Sequence, residues 1–365
     1  MLKELTVLPG KQEKPGIQDE LKRIKIAVVL PVYNTSKYLR ECADSLIEQT
    51  HANFKVFVVD DGSTDDSAII LDEYAAKDAR FIVWHLANGG VSAARNFALK
   101  QIEKVGGFHL VAFCDSDDIL SRDCLRLYAY GMTKFEAQFV TLGYVKFDKN
   151  GIVHGVRKKE SHPPIMLKGE NLLRFGLSLH PEFRNSPATA YFLNNVAFCA
   201  TDILGLRFDE KRLIGEDAEF RFQALRRMKK GVAFSDVGYR YRLRKSSLSS
   251  NMSLFSLYSS LELFLGWLNP GNQIPENISK DIEKVLLKKF RETMVWAYEN
   301  DSLYRSWNDF RAYYDRIRSC CSVPLSVHLL LAAGPKITKM YLYFVRFGRR
   351  LMREKLGKKM FCAFD

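Results

Sequence analysis

Four polar clusters, each directly after an apolar run, hold the residues most able to do chemistry. They are Pro31-Val32-Tyr33-Asn34, Asp60-Asp61-Gly62-Ser63-Thr64-Asp65, residues 88–96 (NGGVSAARN) and Asp115-Ser116-Asp117-Asp118. Two carboxylates one residue apart, as in Asp115 and Asp117, can present oxygens to one hard cation. Mg²⁺ and Mn²⁺ favour such ligands and keep waters and substrate phosphates in their shell. The bland alternative is a strand-end turn whose aspartates cap the next helix, a part Asp118 can play. In the Asp60-Asp61 pair, one carboxylate can accept hydrogen bonds from a nucleobase imide or ribose hydroxyl while the other supports the loop. An acidic phospho-acceptor pocket would also need a lysine at a later strand end, and the third and fourth strand ends offer none. Gly89-Gly90 opens a helix with Arg95 one turn in, which suits a diphosphate through close backbone approach, a helix N-terminus and a cation. Further on, Gly215-Glu216-Asp217 begins a helix. Acids there are often dipole partners, but either carboxylate can take a proton from a hydroxyl as general base. In the run 239–245 (YRYRLRK), alternation puts Arg240, Arg242 and Arg244 on one face, either as a solvated basic edge or as a clamp for a diphosphate.

These clusters need elements that bring them together. Residues 24–30, 54–59, 81–86 and 108–114 read as strands, and 36–49, 67–76 and 91–102 carry helical spacing. Strand–helix alternation of this kind predicts βαβ units and a doubly wound, largely parallel α/β sheet, with all four clusters on its carboxyl edge. After residue 118 the alternation weakens. Strands are expected over 139–147 and 232–243, and helices over 172–179 and 216–228. Beyond 253 the pattern is helical. The expected domains are a flexible leader over 1–23, a catalytic domain over 24–250 and a helical region over 251–365.

The composition narrows the class. The chain has 365 residues, 47% hydrophobic and 27% charged, as in an ordinary folded protein. No apolar run is long enough to span a bilayer, and residues 1–23 lack the apolar core of a signal peptide. Seven scattered cysteines, without a Cys-x-x-Cys pair, argue against a disulfide framework or zinc site and for a reducing cytoplasm. Cys42, Cys114, Cys124 and Cys199 read as small core fillers. The net charge of +13 calls for an anionic partner.

In their order, PVYN, VVDDGSTDDS, NGGVSAARN, FCDSDD and GEDAEF resemble a bacterial family 2 inverting glycosyltransferase with the GT-A fold, over residues 24–250. The resemblance implies a nucleotide-sugar donor, UDP-linked, and Mn²⁺ or Mg²⁺. It implies that Pro31 and Tyr33 line the base and ribose pocket, that Asp61 reads uracil and that Asp60 supports the nucleoside site. Arg95 would contact the nucleotide, Asp115 the ribose or a metal-bound water, and Asp117 the metal. Asp217 would be the base, with Glu216 next in line, and Arg242 or Arg244 would face the diphosphate. The acceptor region, 168–209, has no matched positions. The implied acceptor is a hydroxyl on a growing cell-surface glycan, such as lipopolysaccharide, capsule or exopolysaccharide, free or lipid-linked.

Much of the charge lies in the tail, where residues 336–365 hold nine Lys/Arg and two acids. A helix near 336–356 would put Ile337, Met340, Tyr341, Phe344, Phe347 and Leu351 on one face and the basic side chains on the other. Such a helix can lie on an anionic membrane, placing the protein at the inner face of the cell membrane, or it can dock on the catalytic domain. A nucleic-acid-binding protein is a rival of another class, but its signature motifs are missing. A catalytically inactive nucleotide-sugar-binding module would not need the full acidic set.

Overall fold

The computed structural model describes residues 16–148, 151, 153–154, 163–179, 193–244, 253–300, 302–303, 305–324, 327–329 and 331–342. The chain divides into two compact units, residues 1–251 and 252–365.

The first unit opens with helix α1 (Ile17–Arg23), which buries Ile17 and Leu21. The expected leader is thus corrected over 17–23, where two apolar side chains four apart give a short helix something to bury; residues 1–15 lie outside the described residues. Strand β1 (Ile26–Val32) follows, then α2 (Ser36–Ile47), β2 (Phe54–Asp60), α3 (Ser67–Lys77), β3 (Phe81–His85), α4 (Val91–Val105) and β4 (Leu110–Phe113). All seven residues of β1 are buried, as expected of a strand covered on both faces. β3, β2, β1 and β4 lie side by side and parallel. Their carboxyl ends therefore share one edge, and the four polar clusters sit there.

The second half of the sheet is mixed. It contains β5 (Ile119–Leu120), helix α5 (Cys124–Phe135), β6 (Phe139–Phe147), β7 (Val153–His154), β8 (Ile165–Lys168), α6 (Glu170–Gly176), β9 (Val196–Cys199), the short α7 (Ala200–Ile203), α8 (Glu216–Leu225) and β10 (Lys230–Arg242). The sheet order is β3-β2-β1-β4-β9-β6-β10-β5, with β9 antiparallel to both neighbours. β10 runs parallel to β6 but breaks register between Ala233 and Tyr239. Such an irregularity bends a strand and re-aims its side chains; here the stretch beyond it reaches the Asp115–Asp118 cluster. Cys42, Cys114 and Cys124 are buried and Cys199 is half-buried.

The second unit is helical among its described residues, with α9 (Leu254–Trp267), α10 (Glu276–Glu299) and α11 (Trp307–Cys320). A reciprocal capping box between Ser253 and Ser256 starts α9. Residues 331–342 are also helical. The rest of the basic helix expected near 336–356 lies outside the described residues.

Candidate active site

The loops after β1 and β2 are knitted to each other. Asn34 N–H donates to Ser63 Oγ at 3.0 Å, Thr64 N–H to Asn34 Oδ1 at 2.8 Å and Ser36 N–H to Asp65 Oδ2 at 3.0 Å. Burial works against the Asp65 charge, but hydrogen bonds from Ser67 and Ser36 outweigh it and hold this carboxyl down to about 2. Gly62 has φ +71°, and a Cβ there would lie 2.8 Å from the Asn88 amide nitrogen. Only glycine lets the β2 loop close against the β3 loop.

The Asp60-Asp61 pair has two distinct jobs. Asp61, buried, accepts from Gly89 N–H at 2.7 Å and Gly90 N–H at 2.9 Å. Its backbone oxygen accepts from Asn88 Nδ2 at 2.8 Å. Asp60, also buried, accepts from Ser63 N–H at 3.0 Å and pairs with His85 Nδ1 at 2.8 Å. His85 Nε2 reaches Asp72 at 3.2 Å. The Asp60 hydrogen bond raises the His85 pKa against the opposing pull of burial, with Asp72 adding to the rise. Pro31 is buried within β1, and Tyr33, 50% exposed, stands free beside these loops.

This geometry corrects the expected diphosphate cradle. The Gly89 and Gly90 amides are already donated to Asp61, so they bind a carboxylate of the chain itself. Arg95 does not stand open either. It is buried, with Nη2 3.1 Å from Asp115 Oδ1 and Nη1 3.1 Å from Glu216 Oε1. Its guanidinium lies 5.3 Å from the centre of the Phe208 ring. Burial disfavours its charge, but Asp115, Glu216 and Asp217 together outweigh burial and raise its pKa. Arg95 is thus a bridge between the end of β4 and the start of α8, whose Glu216 lies 121 residues beyond Arg95 itself.

Around that bridge lie the remaining carboxylates. Asp115 Oδ2 accepts from the side-chain amide of Asn194, in a 3-10 turn over Leu193–Asn195. Asp117 Oδ2 is 2.6 Å from Arg244 Nε. Burial, then the nearby Asp115, pushes the Asp117 carboxyl up, and Arg244 opposes this. Asp118 is corrected from helix cap to buried anchor: Tyr239 O–H donates to it at 2.6 Å and Arg242 N–H at 2.7 Å, while α5 starts after Asp123. Burial raises the Asp118 pKa well above the usual carboxylate range. Glu216 is also pushed up, by burial and by Asp217, against Arg95. Asp217 is half-buried, and its Oδ1 accepts from Ala218 N–H at 2.7 Å.

The arginines of the last strand divide. Arg242 is buried, donates to Glu41 Oε2 and to Asp117 O at 2.8 Å each, and lies over Tyr38 and Phe147. Its charge is thus already engaged within the chain. Arg244 stands beside Asp117 with its side chain 27% exposed. Asn194 and His85 were not singled out from sequence. Asn194 lies within the unmatched 168–209 stretch, and His85 is an ordinary strand residue until its two carboxylate neighbours are known.

Among the described residues, no group of three or more His, Cys, Asp or Glu forms a ready-made metal cage. The donor set nevertheless fits a hard cation that takes only part of its shell from protein. Asp115 and Asp117 offer oxygen alone, and burial followed by the neighbouring carboxylates raises the pKa values of Asp117 and Asp118, a shift a bound cation would oppose.

Residues 27–200 match the family model "Glycosyl transferase family 2", and the first unit, which contains them, has a GT-A-like α/β fold. Among curated proteins, the glycosyltransferase GlyA of Streptococcus pneumoniae is 32% identical over 226 residues, covering 62% of this chain and 31% of GlyA. The minor teichoic acid biosynthesis protein GgaB of Bacillus subtilis is 30% identical over 229 residues, 61% of this chain and 23% of its own length. The chain therefore spans less than a third of either relative. Among solved structures, S. aureus TarS 1-349 in complex with UDP-GlcNAc is similar in fold, with a TM-score of 0.62 and 23% identity over 88% of this chain and 89% of that one.

Proposed function

We propose that this chain transfers a sugar from a UDP-linked donor to a hydroxyl of a cell-surface glycan by a single displacement that inverts the anomeric centre. The observation that carries the reading is the Arg95 bridge, which holds the Asp-Ser-Asp motif and the Glu216-Asp217 pair at one centre. The UDP-GlcNAc complex of TarS and the teichoic acid role in the GgaB name support the donor and acceptor classes.

In this reading Asp61 and Asp60 hold the nucleoside loops in shape, and Pro31 and Tyr33 line the base pocket. Asp217 takes the proton of the acceptor hydroxyl as that oxygen bonds to the anomeric carbon. The bond from the anomeric carbon to the diphosphate oxygen breaks, and its electron pair leaves with the diphosphate. Arg244 is the side chain placed to meet the charge that develops there. Asp115 and Asp117 would hold Mn²⁺ or Mg²⁺, which supplies further neutralisation of the diphosphate. Glu216, tied to Arg95, orients the helix that carries Asp217.

Asp217→Asn tests the assignment. UDP release from UDP-sugars with Mn²⁺ and an acceptor should fall about a thousandfold, with nucleotide affinity kept. Turnover within tenfold of the parent would remove Asp217 as base.

The reading includes a peripheral position on an anionic membrane. In the last described helix Leu331, Thr338 and Leu342 are buried, whereas Ile337, Met340 and Tyr341 are exposed. That exposed stripe precedes the basic tail. Among the described residues no helix is long and apolar enough to cross a membrane.

A further inference from the structure

Helix α4 and the loop leading into α8 line an open, shallow pocket of about 570 Å³ outside the centre described above. Ala93, Phe97 and Phe208 give it apolar lining, and Lys100, Arg207, Lys211, Asp209 and Glu210 give it charge. The two acids are already engaged in holding the loop. Glu210 Oε1 accepts from Asn96 Nδ2 at 2.8 Å, and Asp209 Oδ1 accepts from Lys211 N–H at 3.0 Å. Arg207 is engaged too, donating to both oxygens of Glu103. The ammonium groups of Lys100 and Lys211 are exposed, and neither has an ion-pair or hydrogen-bond partner among the described residues. With Arg207 paired to Glu103 and Asp209 to Arg212 at 4.0 Å, the two ammonium groups face one carboxylate unpaired among the described residues, Glu210, and the balance left for a ligand is positive.

The wall of this pocket is pinned by hydrogen bonds and shares Phe208 with the Arg95 bridge. Asn96 clamps the loop, accepting from Phe208 N–H at 2.7 Å and donating to Phe208 O at 2.9 Å. The Phe208 ring stacks on Phe220 of α8 at 4.2 Å and carries the Arg95 guanidinium. An occupant would thus touch the residue on which the Arg95 bridge rests.

We propose that this pocket is a second site for the acceptor chain, taking an anionic group, phosphodiester or carboxylate, on a unit away from the reacting hydroxyl. The proposal rests on the glycosyltransferase reading. Held there, a polymer presents its terminal hydroxyl to Asp217 at raised local concentration, so remote binding serves the reaction. The volume suits one or two units of such a chain.

The test is the full chain carrying Lys100→Glu and Lys211→Glu, neither of which contacts the proposed catalytic residues. Three acceptors of equal length are compared: a glycerol phosphate oligomer, an oligouronide and a neutral oligosaccharide. KM should rise about tenfold for an anionic acceptor, while kcat, the neutral acceptor and acceptor-free UDP release stay unchanged. The anionic class with the larger shift identifies the group. Unchanged KM for both anionic acceptors, or an equal rise for the neutral one, overturns the proposal. A parent that releases no UDP from any UDP-sugar instead sinks the underlying reading. Calorimetric binding of the glycerol phosphate oligomer and of the oligouronide then decides the pocket alone: loss in the double variant supports it, and equal binding refutes it.

Discussion

Arg95→Met removes the cation at the hub of the site, and with it the guanidinium that lies over Phe208, while keeping an apolar stem of similar length. The change deletes two charge-assisted hydrogen bonds, each 3.1 Å long, to Asp115 and Glu216. Such bonds are worth roughly 1.5–3 kcal/mol each. The Asp115 side chain is 31% exposed and that of Glu216 16%, so water recovers part of the loss, and a net cost of about 3 kcal/mol is expected. In a unit of this size each kcal/mol moves the melting temperature by about 2–4 °C, so Tm should fall by about 6–12 °C. Glu216, already pushed up by burial, loses the neighbour that opposes the rise, and its carboxyl should move further up. Arg95→Lys should fall between the parent and the methionine variant, because a point charge cannot fork to two carboxylates. Differential scanning calorimetry of the full chain, read beside UDP release, decides the matter. A methionine variant melting within about 1 °C of the parent and turning over within about twofold of it would refute the bridge.

Two further perturbations probe other parts. Asp60, and after it Asp72, raise the His85 pKa, so its contribution is complete below the ordinary histidine range and fades as pH rises through its raised value. The Tm difference between parent and His85→Gln, about 2 °C in mild acid given the half-exposed ring, should therefore shrink above about pH 6.5; a difference flat in pH would remove this role. On the exposed stripe, Ile337→Glu with Met340→Glu should cut co-sedimentation with anionic lipid vesicles about tenfold or more, and unaltered sedimentation would end the membrane reading.

The catalytic edge was readable because parallel βα units place every strand's carboxyl end on one side. Once the strands at 24–30, 54–59 and 108–114 were recognised, Asp61 and Asp115 had to be neighbours of one cleft. What each carboxylate binds was not readable. Gly89 and Gly90 look like an anion cradle in sequence, and they are one, but the anion is Asp61, 28 residues upstream. Arg242 and Arg244 are equivalent in alternation; only the packing of α2, which brings Glu41 to Arg242, separates them. Asp118 reads as a helix cap until β10 is seen to cover it. These distinctions depend on partners 28 to 201 residues away, beyond any local periodicity.

The placement of β9 bears on how the chain is made. Residues 196–199 pair with β4 only after a long excursion through α5, β6 and α6. Until they emerge from the ribosome, the β1–β4 half is a nascent parallel ladder whose β4 flank is open, with its amides and carbonyls free to recruit a neighbour's backbone. The antiparallel strand is thus a late-arriving seal as well as a platform for Asn194.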